Sequence, residues 1–105
     1  MNLLFLLAAA MLEAAGDAII RRGRAASAPL SLALFAGGAL VLFTYGFLVN
    51  RPGWTFGRAI GIYVFFFFVL AQLVSWVVFH EPPGRGVWLG GVAFAIGAVL
   101  VYAVK

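Results

Sequence analysis

The sequence predicts an all-α membrane protein with four transmembrane helices and short loops. Three observations lead there. Of 105 residues, 66% are hydrophobic and only 10% charged, too few polar side chains to clothe a water-soluble domain of this size. The mean hydropathy is +1.14. The apolar residues gather into four runs at about 2–20, 29–49, 59–79 and 87–104, each about 18–21 residues long, or ~30 Å as a helix, the thickness of a hydrocarbon core. Lipid offers backbone groups no partner, so such runs must be helices. The length leaves room for a single domain, 1–105.

The first run, "NLLFLLAAAMLEAAGDAII", is closed by "RRGRAASAP". It could be mistaken for a secretory signal, but no basic side chain precedes its apolar core and Glu13 interrupts it. It is read as a permanent helix. Pro29 suits the first turn of the second run. "NRPGWTFGR" separates the second from the third, and "HEPPGRG" ends the third, because two prolines and two glycines cannot continue a helix. The fourth run, "VWLGGVAFAIGAVLVYAV", ends at Lys105.

The formal net charge of +4 would suggest nucleic acid in a soluble chain. Here the basic residues lie in the breaks, where lipid headgroups are the expected contact, and no nucleic-acid partner is predicted. Four spans put both termini on one side with Arg51 and Arg58, together with Lys105. Arg21, Arg22, Arg24 and Arg85 fall on the other. Orientation normally follows an excess of Lys and Arg in cytoplasmic loops; three against four is hardly an excess. Either other features orient the chain, or it inserts in both directions. There is no cysteine, no metal-ligand spacing, no nucleotide loop and no nucleophile–base arrangement, so no cofactor and no covalent chemistry are expected. His80, in a loop beside Glu81, is expected to be solvated.

The chain has three acidic residues, and two of them sit in the first run. Glu13 is close to the bilayer midplane, where an ionised carboxylate costs ~3 kcal/mol or more. It should therefore face a bundle interior or a wet cavity. Its helical neighbours Leu6, Ala9, Ala10, Gly16 and Asp17 make a face of mostly small residues, which permits close helix approach or leaves space beside the acid. One reading gives Glu13 a proton that it releases when a cation arrives. The other makes it a permanently protonated contact between helices. Asp17, one turn on, either extends a two-carboxylate strip, which would favour polycations such as polyamines, or pairs with Arg21 at i+4.

Other intramembrane polar groups are Thr44, Tyr45, Tyr63, Gln72 and Ser75. Tyr63 offers an aromatic face to a cation or anchors the span at the interface. "FFFF" at 65–68 covers every side of its helix. Gln72 and Ser75, three apart, are expected to form a polar edge against a neighbouring helix. Trp54, Trp76 and Trp88 read mainly as belt residues. Gly90 and Gly97, seven apart, with Gly91 and Ala95 as a small-xxx-small pair, mark either a homo-oligomer seam or packing inside one chain.

Taken together, a chain of this length with four short-looped spans, "EAAG" in the first of them and balanced loop charges resembles the small multidrug resistance family of the drug/metabolite transporter superfamily. The resemblance covers the whole chain. Glu13 and Gly16 match the family's first-helix Glu-x-x-Gly motif, Ser75 and Trp76 the end of its third helix, and Gly90 and Gly97 its fourth-helix dimer contacts. "GRAIGIY" at 57–63 looks more like the YnfA-like branch. The chain departs from the family where Phe65 and Phe67 replace the glycines of the third helix, where Leu40 and Ile60 replace two pocket tyrosines, and where Asp17 replaces a small or hydroxyl residue. The resemblance implies an antiparallel, dual-topology homodimer in a bacterial inner membrane, exporting small organic cations in exchange for protons. It makes Glu13 the coupling carboxylate and Tyr63 a substrate contact. A non-transporting assembly or regulatory subunit, or one half of a heterodimer, is the alternative.

Overall fold

A computed structural model describes residues 3–50 and 55–104; Arg51, Trp54 and Lys105, with the charge and belt roles read for them above, lie outside the described residues. Four α-helices follow one another: α1 Leu3–Ala25, α2 Leu30–Val49, α3 Phe56–Val77 and α4 Arg85–Ala103. Each is long and apolar enough to cross a membrane. The helix α1 runs on past the end of its apolar stretch, through Arg21, Arg22 and Arg24. Nothing there breaks a helix before Pro29, and cations are favoured beside the unpaired carbonyls of a C-terminal turn. Similarly, α3 starts ahead of its apolar run and takes in Arg58. Its guanidinium reaches across to the end of α4, donating to Val101 O at 3.3 Å and Tyr102 O at 2.7 Å. This arginine caps the carbonyls of a neighbouring helix, and so ties the start of α3 to the finish of α4.

The helices form a slab, 50 × 36 × 17 Å, rather than a closed bundle. α1 packs between α2 and α3, and α4 packs on the outer side of α3. Small residues decide these approaches. A Cβ added to Gly16 would lie 2.7 Å from Leu42 Cδ2, and one on Gly38 would lie 2.5 Å from Ile20 Cγ1 and 3.2 Å from the Gly16 carbonyl oxygen. The two glycines therefore face each other where α1 and α2 cross, with backbone close to backbone. On the opposite flank, Leu6, Ala9 and Ala10 of α1 pack with Ala59, Ile62 and Tyr63 of α3, and Val49 of α2 joins the same cluster. Ala10 is wholly buried and acts as a spacer between α1 and α3.

Elsewhere the surface is apolar: Phe43 and Phe47 of α2 and Leu89 of α4 are among the large side chains left exposed. Lipid is the solvent that tolerates this. Two polar side chains, in α2 and at its C-terminal cap, bond to the backbone one turn back, Thr44 Oγ1 donating to Leu40 O at 3.0 Å and Asn50 Nδ2 to Gly46 O at 2.8 Å, the i−4 pattern that hides a donor in hydrocarbon.

The tight crossing gives a test. Gly38→Ala should destabilise the protein by about 1–3 kcal/mol through overpacking, read as a lower unfolding midpoint in detergent. Gly37→Ala, where a Cβ meets nothing within 4 Å, should leave that midpoint unchanged or raise it.

Candidate functional site: a mid-membrane carboxyl and a cleft beside it

Glu13 lies near the middle of α1, partly buried among small residues. Across from it, α3 presents Tyr63, which is 4% exposed and is therefore not an interface anchor. The Tyr63 hydroxyl donates a hydrogen bond to Glu13 Oε1. Ala9, Ala10 and Ala59 let α1 and α3 come close enough for the two side chains to meet.

Aromatic rings extend the site on both sides. Tyr45 of α2 stacks on Tyr63 with centroids 5.4 Å apart, and Phe67, one turn along α3, also stacks on it, at 6.1 Å and 16°. Glu13 thus bonds to the hydroxyl of the ring on which both Tyr45 and Phe67 stack. A carboxyl beside aromatic faces can exchange a proton for an organic cation, because the rings attract positive charge and the acid neutralises it. Tyr45 and Phe67 were not singled out from the sequence as site residues. Phe67 lies at i+4 from Tyr63, a spacing that puts both rings on one helix face.

Asp17 lies one turn beyond Glu13 but occupies a separate space. It is exposed and lines a cleft of about 130 Å³ between α1 and α3, with Arg21, Phe67, Ser75 and Phe79. Such a volume can hold several waters. Arg21 does not take up its i−4 neighbour Asp17. Instead its guanidinium clasps Glu81 of the α3–α4 loop in a two-pronged ion pair, at 3.1 and 2.7 Å. Phe79 lies under this guanidinium, 4.5 Å from ring centroid to Cζ, and Arg22 reaches Val78 O at 3.5 Å.

Ser75 belongs to this loop as well: its hydroxyl donates to Glu81 O at 3.1 Å, and its own carbonyl accepts from the Glu81 N–H at 2.9 Å. Between them His80 takes the left-handed conformation, φ 58°, with an exposed side chain. Gln72 and Ser75 do not make the common edge expected of them. Gln72 turns to an apolar groove of about 310 Å³ between α3 and α4, which Phe68, Trp76, Trp88 and Gly91 also line. On α4, Gly91 faces Phe68, whereas Gly90 and Gly97 have nothing within 4 Å of an added Cβ. Among the described residues, none from another helix packs into those two positions.

Glu81 was readable in principle. It is the one acid outside the apolar runs, and the parity of four spans puts the α1–α2 and α3–α4 loops on the same side, where Arg21 waits.

These features define a multi-pass membrane protein with four candidate spans and a carboxyl at mid-depth. It is similar to the UPF0060 membrane protein YfjF of Bacillus subtilis, with 30% identity over 101 residues, covering 95% of this chain and 91% of that one. It is also similar to a UPF0060 membrane protein of Herpetosiphon aurantiacus, 33% identical over 66 residues; that match spans 61% of this chain and 60% of the relative. The chain belongs to the UPF0060 membrane protein family, YnfA-like proteins within the drug/metabolite transporter superfamily. No protein-family model and no solved structure matches it.

The hydrogen bond from Arg21, helped by the charge of the same guanidinium and by Ser75, holds the Glu81 carboxyl below its ordinary range. A carboxyl so depressed keeps its ion pair above the ordinary value and loses it only as the pH falls through the lowered one. The Glu81 titration, followed by NMR of the labelled carboxyl, should therefore move upward in Arg21→Gln. An unchanged midpoint would contradict the contact.

Proposed function

We propose that the protein is a proton-coupled exporter of small organic cations, acting as an antiparallel homodimer in a bacterial inner membrane. The observation that carries this reading is the mid-span Glu13 held by the buried hydroxyl of Tyr63. A carboxyl at that depth is stable with a proton or with a cation beside it, and costly when empty and ionised. Loading one therefore displaces the other. The flanking rings of Tyr45 and Phe67 suit a quaternary ammonium, guanidinium or polyamine group.

Three further features support the assembly. Loop charges are almost equal on the two sides, which permits insertion both ways. Gly90 and Gly97 leave a smooth track on α4 that suits a second copy. Two antiparallel copies exchange roles when the site switches sides, so the two conformations have equal energy and alternation needs no further device. Lipid, protons and the substrate cation are then the partners.

The test is cation binding by purified protein in proteoliposomes, with tetraphenylphosphonium and guanidinium as probes. Binding should release protons, and Glu13→Gln should abolish that release. Tyr63→Phe should weaken cation affinity about fivefold, the worth of one hydrogen bond of ~1 kcal/mol. Binding that ignores pH, together with a Glu13→Gln variant that merely assembles poorly, would instead mark a non-transporting assembly subunit. A single orientation of tagged termini would indicate one half of a heterodimer.

A further inference from the structure

The cleft that holds Asp17 is lined by neither Glu13 nor Tyr63. Phe67 is shared by the two: it lines the cleft, and its ring stacks on Tyr63. At the other end, the cleft is bounded by Arg21, Ser75 and Phe79. Each of these three engages the same short loop. Arg21 binds Glu81 with both prongs, Ser75 binds the Glu81 backbone and approaches Oε1 at 3.4 Å, and Phe79 lies beneath the guanidinium. Any movement of Glu81 away from Arg21 therefore changes the mouth of the cleft.

We infer that this cleft is the aqueous vestibule of the Glu13 site, with the Arg21–Glu81 pair as its outer latch, Phe67 as its inner partition, and Asp17 as the acid that draws cations into it. The inference rests on the reading of Glu13 given above. Three geometric facts make the latch suited to gating. Its acid and its base come from different segments, α1 and the α3–α4 loop, so opening separates two bodies. Both side chains are about half exposed, 57% and 49%, so the pair is weak and screened by salt. And Arg21 has a second acid within reach along its own helix, Asp17 at i−4. With the latch closed, Arg21 is occupied by Glu81 and Asp17 is left to a cation. With the latch open, the mouth widens and a cation enters or leaves by exchanging with Arg21 at Asp17. Asp17 contacts the cation directly in this scheme and carries no coupled proton.

The native chain has no cysteine, so a single thiol reports on the cleft without background. Ala18, which lines it, is changed to Cys in the full-length protein in proteoliposomes. The probe is trimethylammonium-ethyl methanethiosulfonate, a permanent cation. Adding Glu81→Gln should speed labelling about two- to fivefold, the weight of one exposed ion pair. Arg21→Glu should do the same, and the double exchange Arg21→Glu with Glu81→Arg should restore the slow rate, which mere damage to the fold would not. Raising the salt concentration should accelerate labelling in the Ala18→Cys protein and have little effect once Glu81→Gln is present. Cation-induced proton release should also be faster in Glu81→Gln than in the native protein.

Equal labelling in all these variants overturns the latch and leaves the Glu13 reading intact. A labelling change with no change in the rate of proton release overturns the vestibule, because the cleft would then not lead to the site. Loss of proton coupling in Glu13→Gln, with the labelling response preserved, supports the latch. Proton release that survives Glu13→Gln sinks the Glu13 reading and with it the vestibule, whatever the thiol reports.

Discussion

A carboxyl group at the middle of a lipid bilayer governs this architecture. Charged, it has no business in hydrocarbon; neutral, it still carries a donor and acceptors that lipid cannot satisfy. Tyr63 answers the acceptor side of that demand, and the rest of the α1–α3 contact is arranged so that it can. Alanines on both helices bring the backbones together, Ile62 and Leu6 seal the contact from lipid, and α2 adds Tyr45 to hold the tyrosine ring in place. Removing the acid from the account would leave the alanine face of α1 as ordinary helix packing. With the acid there, the same face becomes the wall of a site.

The slab shape follows from how the other contacts are made. Gly16 and Gly38 pull α2 tightly onto one side of α1, and Arg58 fastens α4 to α3 by its last carbonyls. Neither contact closes the row into a ring. Its broad apolar faces are at home in lipid and offer ample area to another helix. A protein built this way keeps its mid-depth carboxyl near a seam between helices instead of in a sealed core, and a seam can open. The polar cluster at the end of α1 belongs to the same logic, since it gathers nearly all the remaining side-chain charge contacts of the described residues onto a single loop.

Much of this was legible in the sequence, for reasons that differ from residue to residue. The four helices follow from hydropathy and run length, because lipid leaves the backbone no alternative. Glu13 stood out because burying a carboxylate is costly wherever its side chain turns. Its small-residue face was readable from helical period alone. The helix ends were less clear: Arg21 to Arg24 look like a loop by polarity, yet the α-helix continues through them because its last carbonyls welcome cations. Partners across helices were the hardest to read. Tyr63 could have been an anchor or a ligand contact, and only the approach of α1 to α3 decides for the carboxyl. Arg21 had a plausible local partner in Asp17, and the observed one in Glu81 lies sixty residues away, beyond anything that periodicity can register. Gln72 and Ser75 share a spacing but not a neighbour, because one faces α4 and the other the loop.

The most direct test of the central claim is vibrational. Infrared difference spectra of the protein in lipid, with the glutamate carboxyls isotopically labelled, report the protonation of Glu13 before and after a cation binds. The account predicts a protonated-carboxyl band that disappears on binding, is absent in Glu13→Gln, and shifts in frequency in Tyr63→Phe as the hydrogen bond is lost. A band that persists unchanged when the cation is bound would contradict it, and would make the carboxyl a fixed contact between helices.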